Sequence, residues 1–307
     1  MPATAATPVG TETYLASDGA ALPMRSWLPA EKPRAIIVAL HGFADYSASF
    51  ALPARFWAAN GIATFAFDQR GFGGAPHTYL WSGATAMTAD AKAVVHALRQ
   101  RYPDVPTYLL GESMGGAVAI AATTGPEPAD VDGAILVSPA VWEHDLVGSI
   151  ERSALWVAKL AAPSLWLAPP RGLGIHPSNN IEMLRAMARD SLVQRGARVD
   201  TTSGLMDLMD RAGGAVPEIR KPTLVLFGAH EEVLPHTAVD ALLSQLPAAN
   251  VRVAVYPDGY HMLLRDLGGE IVAKDILAWI QDRKAPLPSG DACKGLVAET
   301  LSCPSGG

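Results

Sequence analysis

Cysteine is almost missing from this chain. Only Cys293 and Cys303 occur among 307 residues, both close to the C-terminal end. The body of the protein therefore cannot be held together by disulfides, and the spacing of the two thiols fits no zinc or redox motif. Charge is also scarce. Only 18% of residues are charged, and 24 Lys and Arg face 30 Asp and Glu, for a net charge of −6. No basic stripe interrupts this balance, which excludes a nucleic-acid partner. Long apolar runs are missing too. The richest stretch, SALWVAKLAAPSLWLA, contains Lys159 and is broken by Pro163, so it falls short of the roughly 20 apolar residues of a membrane span. The opening MPATAATPVG has neither the positive nor the apolar region of a secretory signal. A cytoplasmic protein is the expectation, and no ligand spacing among His and Cys calls for a metal or cofactor.

What the chain does have is apolar mass, 49% of its residues, enough to bury a sizeable core. TETYLA and LPMRSW flank the turn SDGA and predict an early antiparallel hairpin. Short apolar runs then recur at 34–42, 61–69, 107–113, 133–140, 223–229 and 251–257. Continuous runs of that length are what strands buried on both faces look like. Helical stretches fill the gaps. TADAKAVVHALRQRYP puts Ala91, Val94, Val95 and Leu98 on one face, a second helix runs from Met114 to Gly125-Pro126, and EIVAKDILAWIQDR is amphipathic. This alternation predicts an α/β fold with a mostly parallel sheet covered on both faces. The domain plan is a core of 11–140 and 218–283, a helical cap at 141–217 inserted between sheet strands, a disordered segment 1–10 and a flexible tail 284–307.

Gly111-Glu112-Ser113-Met114-Gly115 closes a predicted strand and opens a predicted helix. A serine between glycines at such a junction can be lifted above the sheet on a sharp turn, because larger flanking residues would collide with the neighbouring strand and helix. Ser113 is thus a candidate nucleophile. An oxyanion would need two backbone N–H groups. Met114, next after the serine, is the candidate for one, and Phe43, in the loop after RAIIVALHG, for the other. His41 reads as a structural residue tying down that loop. Of eight histidines, His261 in YPDGYHMLL follows the last strand at the sheet edge where the serine lies. It is the preferred base, with His230 its nearest rival.

HGF (41–43), FDQRGFG (67–73), GESMGG (111–116), LVSPA (136–140), FGAHEEVLP (227–235) and YPDGYH (256–261) together resemble the α/β-hydrolase superfamily. Within it they resemble the monoacylglycerol lipase and lysophospholipase-like branch, to which ARDSLVQRGARV (188–199) is also similar. The likeness covers roughly residues 12 to 283. It implies ester hydrolysis through an acyl-enzyme, with a small-molecule or lipid ester as substrate and no cofactor. It also implies an acid three residues beyond Gly228, which is Glu231, a glutamate where the family usually has aspartate. Glu232 and Glu143 are the other candidates; Asp258 lies too near His261 in sequence to orient it. In the cap, Trp142, Leu155, Trp156, Leu165 and Trp166 are the candidate substrate-binding residues. They either form a lid that meets membranes or micelles, giving a peripheral location, or simply pack the cap on the body. A short-chain carboxylesterase, an aminopeptidase or amidase of the same branch, and a non-catalytic binding protein are the competing functions.

Overall fold

The computed structural model describes residues 9–142, 158–167 and 174–290. Most of the segment expected to be disordered, together with Glu143, Leu155, Trp156, Cys293 and Cys303, lies outside the described residues.

The predicted hairpin is present as β1 (Val9–Leu15) and β2 (Ala21–Trp27), which pair antiparallel across a turn at Gly19. Then come β3 (Ala35–Leu40), α1 (Ala51–Ala59), β4 (Ile62–Phe67), α2 (Ala84–Arg101), β5 (Thr107–Glu112), α3 (Met114–Thr123) and β6 (Gly133–Val137). The segment expected to be a cap contains β7 (Trp166–Leu167), α4 (Ile181–Met187), β8 (Ala197–Arg198) and α5 (Val199–Ala215). The chain returns to the body with β9 (Thr223–Gly228), α6 (His236–Gln245), β10 (Val251–Tyr256) and α7 (Gly269–Gln281).

The eight-stranded sheet has the order β1-β2-β4-β3-β5-β6-β9-β10. From β4 to β10 every pairing is parallel. The continuous apolar runs are explained by their surroundings: every residue of β3, β4, β5 and β9 is buried. Alternate side chains enter two cores. On one face Ile36, Val38, Leu109, Val225 and Phe227 pack with Val94, Val95, Val118 and Ile120 of α2 and α3. On the other, Ile37, Leu110, Ile135 and Leu226 meet Trp57 of α1 and Ile276 and Trp279 of α7.

Within the segment expected to be a helical cap, β7 and β8 pair antiparallel. The helix α5 packs into the body. Leu208 and Ala212 of α5 are fully buried and belong to the same core as Val118 of α3. The tail boundary needs correcting for 284–290. Leu287 is buried, Ser289 N–H donates to Asp275 Oδ1 at 2.9 Å, and Arg252 Nη1 donates to the Ala285 carbonyl at 2.7 Å. A Pro- and Gly-rich composition suggested a loose end, but one buried leucine and one buried carboxylate suffice to dock it. Among the described residues no helix is long and apolar enough to cross a membrane.

Candidate active site

Ser113 sits where β5 gives way to α3, with φ 53° and ψ −118°. An L-residue in that region costs on the order of 1–3 kcal/mol and persists only where its surroundings fix it. Here they do. The Ser113 N–H donates to the Val137 carbonyl at 3.0 Å, and the Ser113 carbonyl accepts from Gly116 N–H at 2.8 Å and Ala140 N–H at 2.9 Å. The flanking glycines are sterically required. A Cβ on Gly111 would fall on the Gly115 carbonyl, one on Gly115 on the Leu40 carbonyl, and one on Gly116 only 2.7 Å from Pro139 Cβ.

Two further strand ends bring the partner residues. Ala229 N–H donates to the Tyr256 carbonyl, and His230 N–H to the Gly259 carbonyl, each at 2.9 Å. The loops after β9 and β10 are therefore joined. This sets His261 Nδ1 2.8 Å from Glu231 Oε2, and His261 Nε2 2.9 Å from Ser113 Oγ. Glu231 and His261 are both buried. The extra methylene of a glutamate is taken up by folding back: Glu231 Oε1 accepts from Val233 N–H at 2.8 Å and Leu234 N–H at 3.0 Å. One oxygen is thus fixed by the loop's own backbone and the other is aimed at the imidazole.

The neighbouring candidates point elsewhere. Glu232 is exposed and accepts from His176 N–H at 2.7 Å, with His176 Nδ1 at 3.0 Å. These contacts hold its carboxyl below the ordinary range. His230 is exposed, its ring stacked on Tyr260 with centroids 5.1 Å apart. His41 is completely buried: Nδ1 lies 2.8 Å from the Gly42 carbonyl, and Nε2 accepts from Gln69 N–H at 2.9 Å. It ties the loop after β3 to the chain after β4, and burial pushes its pKa down, keeping it neutral. That tie positions Gly42 and Phe43, both of which line the cavity at Ser113. A Cβ on Gly42 would come within 3.3 Å of Ser113 Cβ. Met114 opens α3, and the first N–H groups of a helix have no partner within it.

The cavity above Ser113 has a volume of about 350 Å³, and its lining includes Phe43, Trp142, Leu205, Met209, Val233, Leu234 and Met262. Of the expected substrate-binding residues that are described, Trp142 lines this cavity. Leu165 and Trp166 do not: they are about half exposed. Trp166 instead packs edge-on against Tyr79, centroids 5.3 Å apart. A cluster of apolar residues in sequence marks a cap surface without saying which side of it faces inward. The apolar lining from α5 was missed for the converse reason, since Leu205 and Met209 sit in an ordinary amphipathic pattern.

Also missed was a buried cluster of charged residues in the cavity lining, Asp45, Glu112 and Arg265. Arg265 Nη2 lies 2.7 Å from Asp45 Oδ2 and 3.3 Å from Glu112 Oε2, with all three residues buried. Burial pushes the Glu112 carboxyl above its ordinary range, with Arg265 opposing. The only available signal was a glutamate in the midst of the buried run TYLLGES. Among the described residues no group of His, Cys, Asp and Glu could hold a metal ion.

A family model described as serine aminopeptidase, S33, matches residues 31–268. The monoacylglycerol lipase of Mycolicibacterium smegmatis is 26% identical over 261 residues, covering 83% of this chain and 90% of that protein. The human monoglyceride lipase is 27% identical over 274 residues, covering 88% and 89%. A crystal structure of a soluble variant of the Saccharomyces cerevisiae monoglyceride lipase, in complex with a substrate analogue, superposes with a TM-score of 0.75 at 17% identity. It covers 92% of this chain and 96% of that one.

Proposed function

We propose, from the premise that the chain belongs to the serine aminopeptidase S33 family of α/β hydrolases, that it hydrolyses carboxylic esters of lipids, monoacylglycerols foremost. The observation that carries this reading is the chain of contacts from Ser113 Oγ through His261 to Glu231, at 2.9 and 2.8 Å, opening onto a mostly apolar cavity.

In the resting state the Ser113 hydroxyl donates to His261 Nε2, whose Nδ1–H donates to Glu231. Ser113 Oγ attacks the ester carbonyl carbon while its proton passes to His261 Nε2, and the resulting imidazolium is stabilised by Glu231. The carbonyl oxygen, now negative, is stabilised by the N–H groups of Phe43 and Met114. When the tetrahedral adduct collapses, the C–O bond to the alcohol breaks and His261 returns its proton to the leaving oxygen. Water, deprotonated by His261, then attacks the acyl-serine, and the acid is released as the proton goes back to Ser113 Oγ.

The cavity volume lies at the low end of the range for ligand pockets, which suits one acyl chain rather than several. The similarity to two proteins named as monoacylglycerol or monoglyceride lipases supports the same substrate class. Leu160, Leu165, Trp166, Leu167 and Ile175 are exposed on the cap and supply the apolar area that contact with a membrane or micelle surface requires. An aminopeptidase reading is disfavoured by the two carboxylates at the cavity. Asp45 and Glu112 both face Arg265, so a substrate ammonium would have to compete with a buried guanidinium.

The test is kcat/KM across p-nitrophenyl esters of two to sixteen carbons, run beside monoacylglycerol and lysophosphatidylcholine. Turnover of monoacylglycerol with a preference for medium or long acyl chains is expected. An optimum at two to four carbons with no lipid turnover would sink the lipase reading and leave a short-chain esterase.

A further inference from the structure

His261 does not sit on a helix or strand. It lies in the loop between β10 and a short 3-10 turn at Leu263–Arg265, and such a loop needs ties from outside to hold a side chain to a fraction of an ångström. Several of those ties come from one short piece of chain, residues 176–180, in the segment read as the cap. The Pro177 carbonyl accepts from Met262 N–H, the residue after His261, at 2.9 Å. Ser178 Oγ donates to Asp266 Oδ1 at 2.5 Å, and the other oxygen of Asp266 accepts from Tyr260 N–H, the residue before His261, at 2.7 Å. Ser178 is 1% exposed and Asp266 7% exposed, so water does not replace these bonds. The backbone on both sides of His261 is therefore held by this strap, once directly and once through a buried carboxylate.

The strap is itself anchored in the cap. Ser178 Oγ accepts from Asn180 N–H at 3.1 Å, and Asn180 Oδ1 accepts from Met183 N–H at 3.1 Å, capping α4. Asn180 Nδ2 donates to the Arg265 carbonyl at 2.9 Å. Asn179 reaches the outer parts of the same loop, donating to the Asp258 carbonyl at 3.2 Å and accepting from Leu267 N–H at 2.8 Å. The exposed pair of His176 with Glu232 adds a weaker link to the loop of Glu231.

Resting on the reading of Ser113 and His261 as nucleophile and base, we propose that Ser178, acting through Asp266, is a positioning residue for His261. The strap 176–180 thereby couples the placement of the cap to the competence of the base. A cap that shifts over the cavity moves the two peptide groups that fix the imidazole. Activity then depends on how the cap is seated as well as on whether substrate can enter.

The test compares Ser178→Ala with Asn179→Ala. Both remove hydrogen bonds from the same strap to the same loop, but only Ser178 acts on a peptide group flanking His261. For a p-nitrophenyl ester that wild type turns over, Ser178→Ala should lower kcat about 10- to 100-fold, the scale on which small misplacements of a catalytic group are felt. KM should be unchanged, and the rate of Ser113 labelling by a fluorophosphonate should fall by the same factor. Asn179→Ala, which removes two exposed bonds, should lower the Tm no more than Ser178→Ala does and keep kcat within about threefold. Ser178→Ala that keeps kcat and labelling within threefold, or two variants that lose activity equally, would overturn the proposal. Should Ser178→Ala not fold, hydrogen exchange on the wild-type protein decides. The amides of Tyr260 and Met262 should open together with those of Asn180 and Met183 as one unit. Cap amides opening more than tenfold faster than Met262 would contradict the coupling. A wild-type protein that neither cleaves esters nor labels at Ser113 would instead overturn the functional reading, a distinguishable result.

Discussion

Glu231→Gln isolates the role of one carboxylate oxygen. In the folded protein Glu231 Oε1 is occupied by the N–H groups of Val233 and Leu234, and Oε2 faces His261 Nδ1 at 2.8 Å. A glutamine keeps the first pair only by placing its carbonyl oxygen there, which turns its NH2 toward Nδ1. The imidazole must then accept at Nδ1 and carry its proton on Nε2, pointing at Ser113 Oγ 2.9 Å away. A ring in that tautomer cannot take the serine proton. In the serine proteases the equivalent change costs on the order of 10⁴ in kcat, about 5.5 kcal/mol of barrier, and the same size of loss is expected here. KM and Tm should barely move, because shape and hydrogen-bond count are kept. Glu232→Gln, assayed in parallel, should stay within about threefold, since its oxygen can still accept from His176 N–H. Steady-state kinetics on a p-nitrophenyl ester, with Tm measured beside it, reads both. If Glu231→Gln stays within tenfold of wild type, or Glu232→Gln is the inactive one, the tautomer reasoning fails.

Other outcomes follow from packing and charge. Gly115→Ala drives a Cβ into the backbone carbonyl of Leu40, which cannot swing away, so a loss of about 3 kcal/mol or insoluble expression is expected. Met209→Trp fills part of a cavity of about 350 Å³ and should shift the chain-length optimum toward shorter esters while leaving kcat for the shortest nearly unchanged. Arg265→Met leaves Asp45 and Glu112 buried without their cation; breaking such a pair costs about 3–5 kcal/mol, which should appear as a lowered denaturant midpoint. Glu112 gives a pH signature. Its pKa is raised in the fold because it is buried. The stability tied to it is therefore full below the unfolded carboxyl value, near 4.3, and is lost as pH rises through the folded value. Subtracting the Glu112→Gln curve of Tm against pH from that of wild type should reveal this decline; a flat difference would contradict the assignment.

The parallel sheet was legible because β3, β4, β5 and β9 are buried on both faces and so leave continuous apolar runs that little else produces. The serine turn was legible because its geometry demands glycine at fixed positions. Preferring Glu231 to Glu232 rested on counting from Gly228. In the structure Glu231 folds back onto Val233 and Leu234 and faces His261, whereas Glu232 faces His176. Sequence could not show which cap residues face inward. Trp142 and Trp166 look equivalent in the chain, yet only Trp142 lines the cavity. Nor could it reveal the Asp45, Glu112 and Arg265 cluster or the ties from Ser178 to the His261 loop. These unite residues far apart in the chain, and no periodicity or motif encodes such pairings.

In the proposed mechanism an acyl group passes through Ser113. Rapid quenching during turnover of a p-nitrophenyl ester, followed by mass spectrometry of the peptide containing GESMGG, tests it most directly. An acyl adduct on Ser113 should appear at the rate of the p-nitrophenolate burst, be absent from Ser113→Ala and be strongly reduced in His261→Ala. Steady hydrolysis in the wild type with no adduct on Ser113, or undiminished hydrolysis by Ser113→Ala, would contradict it.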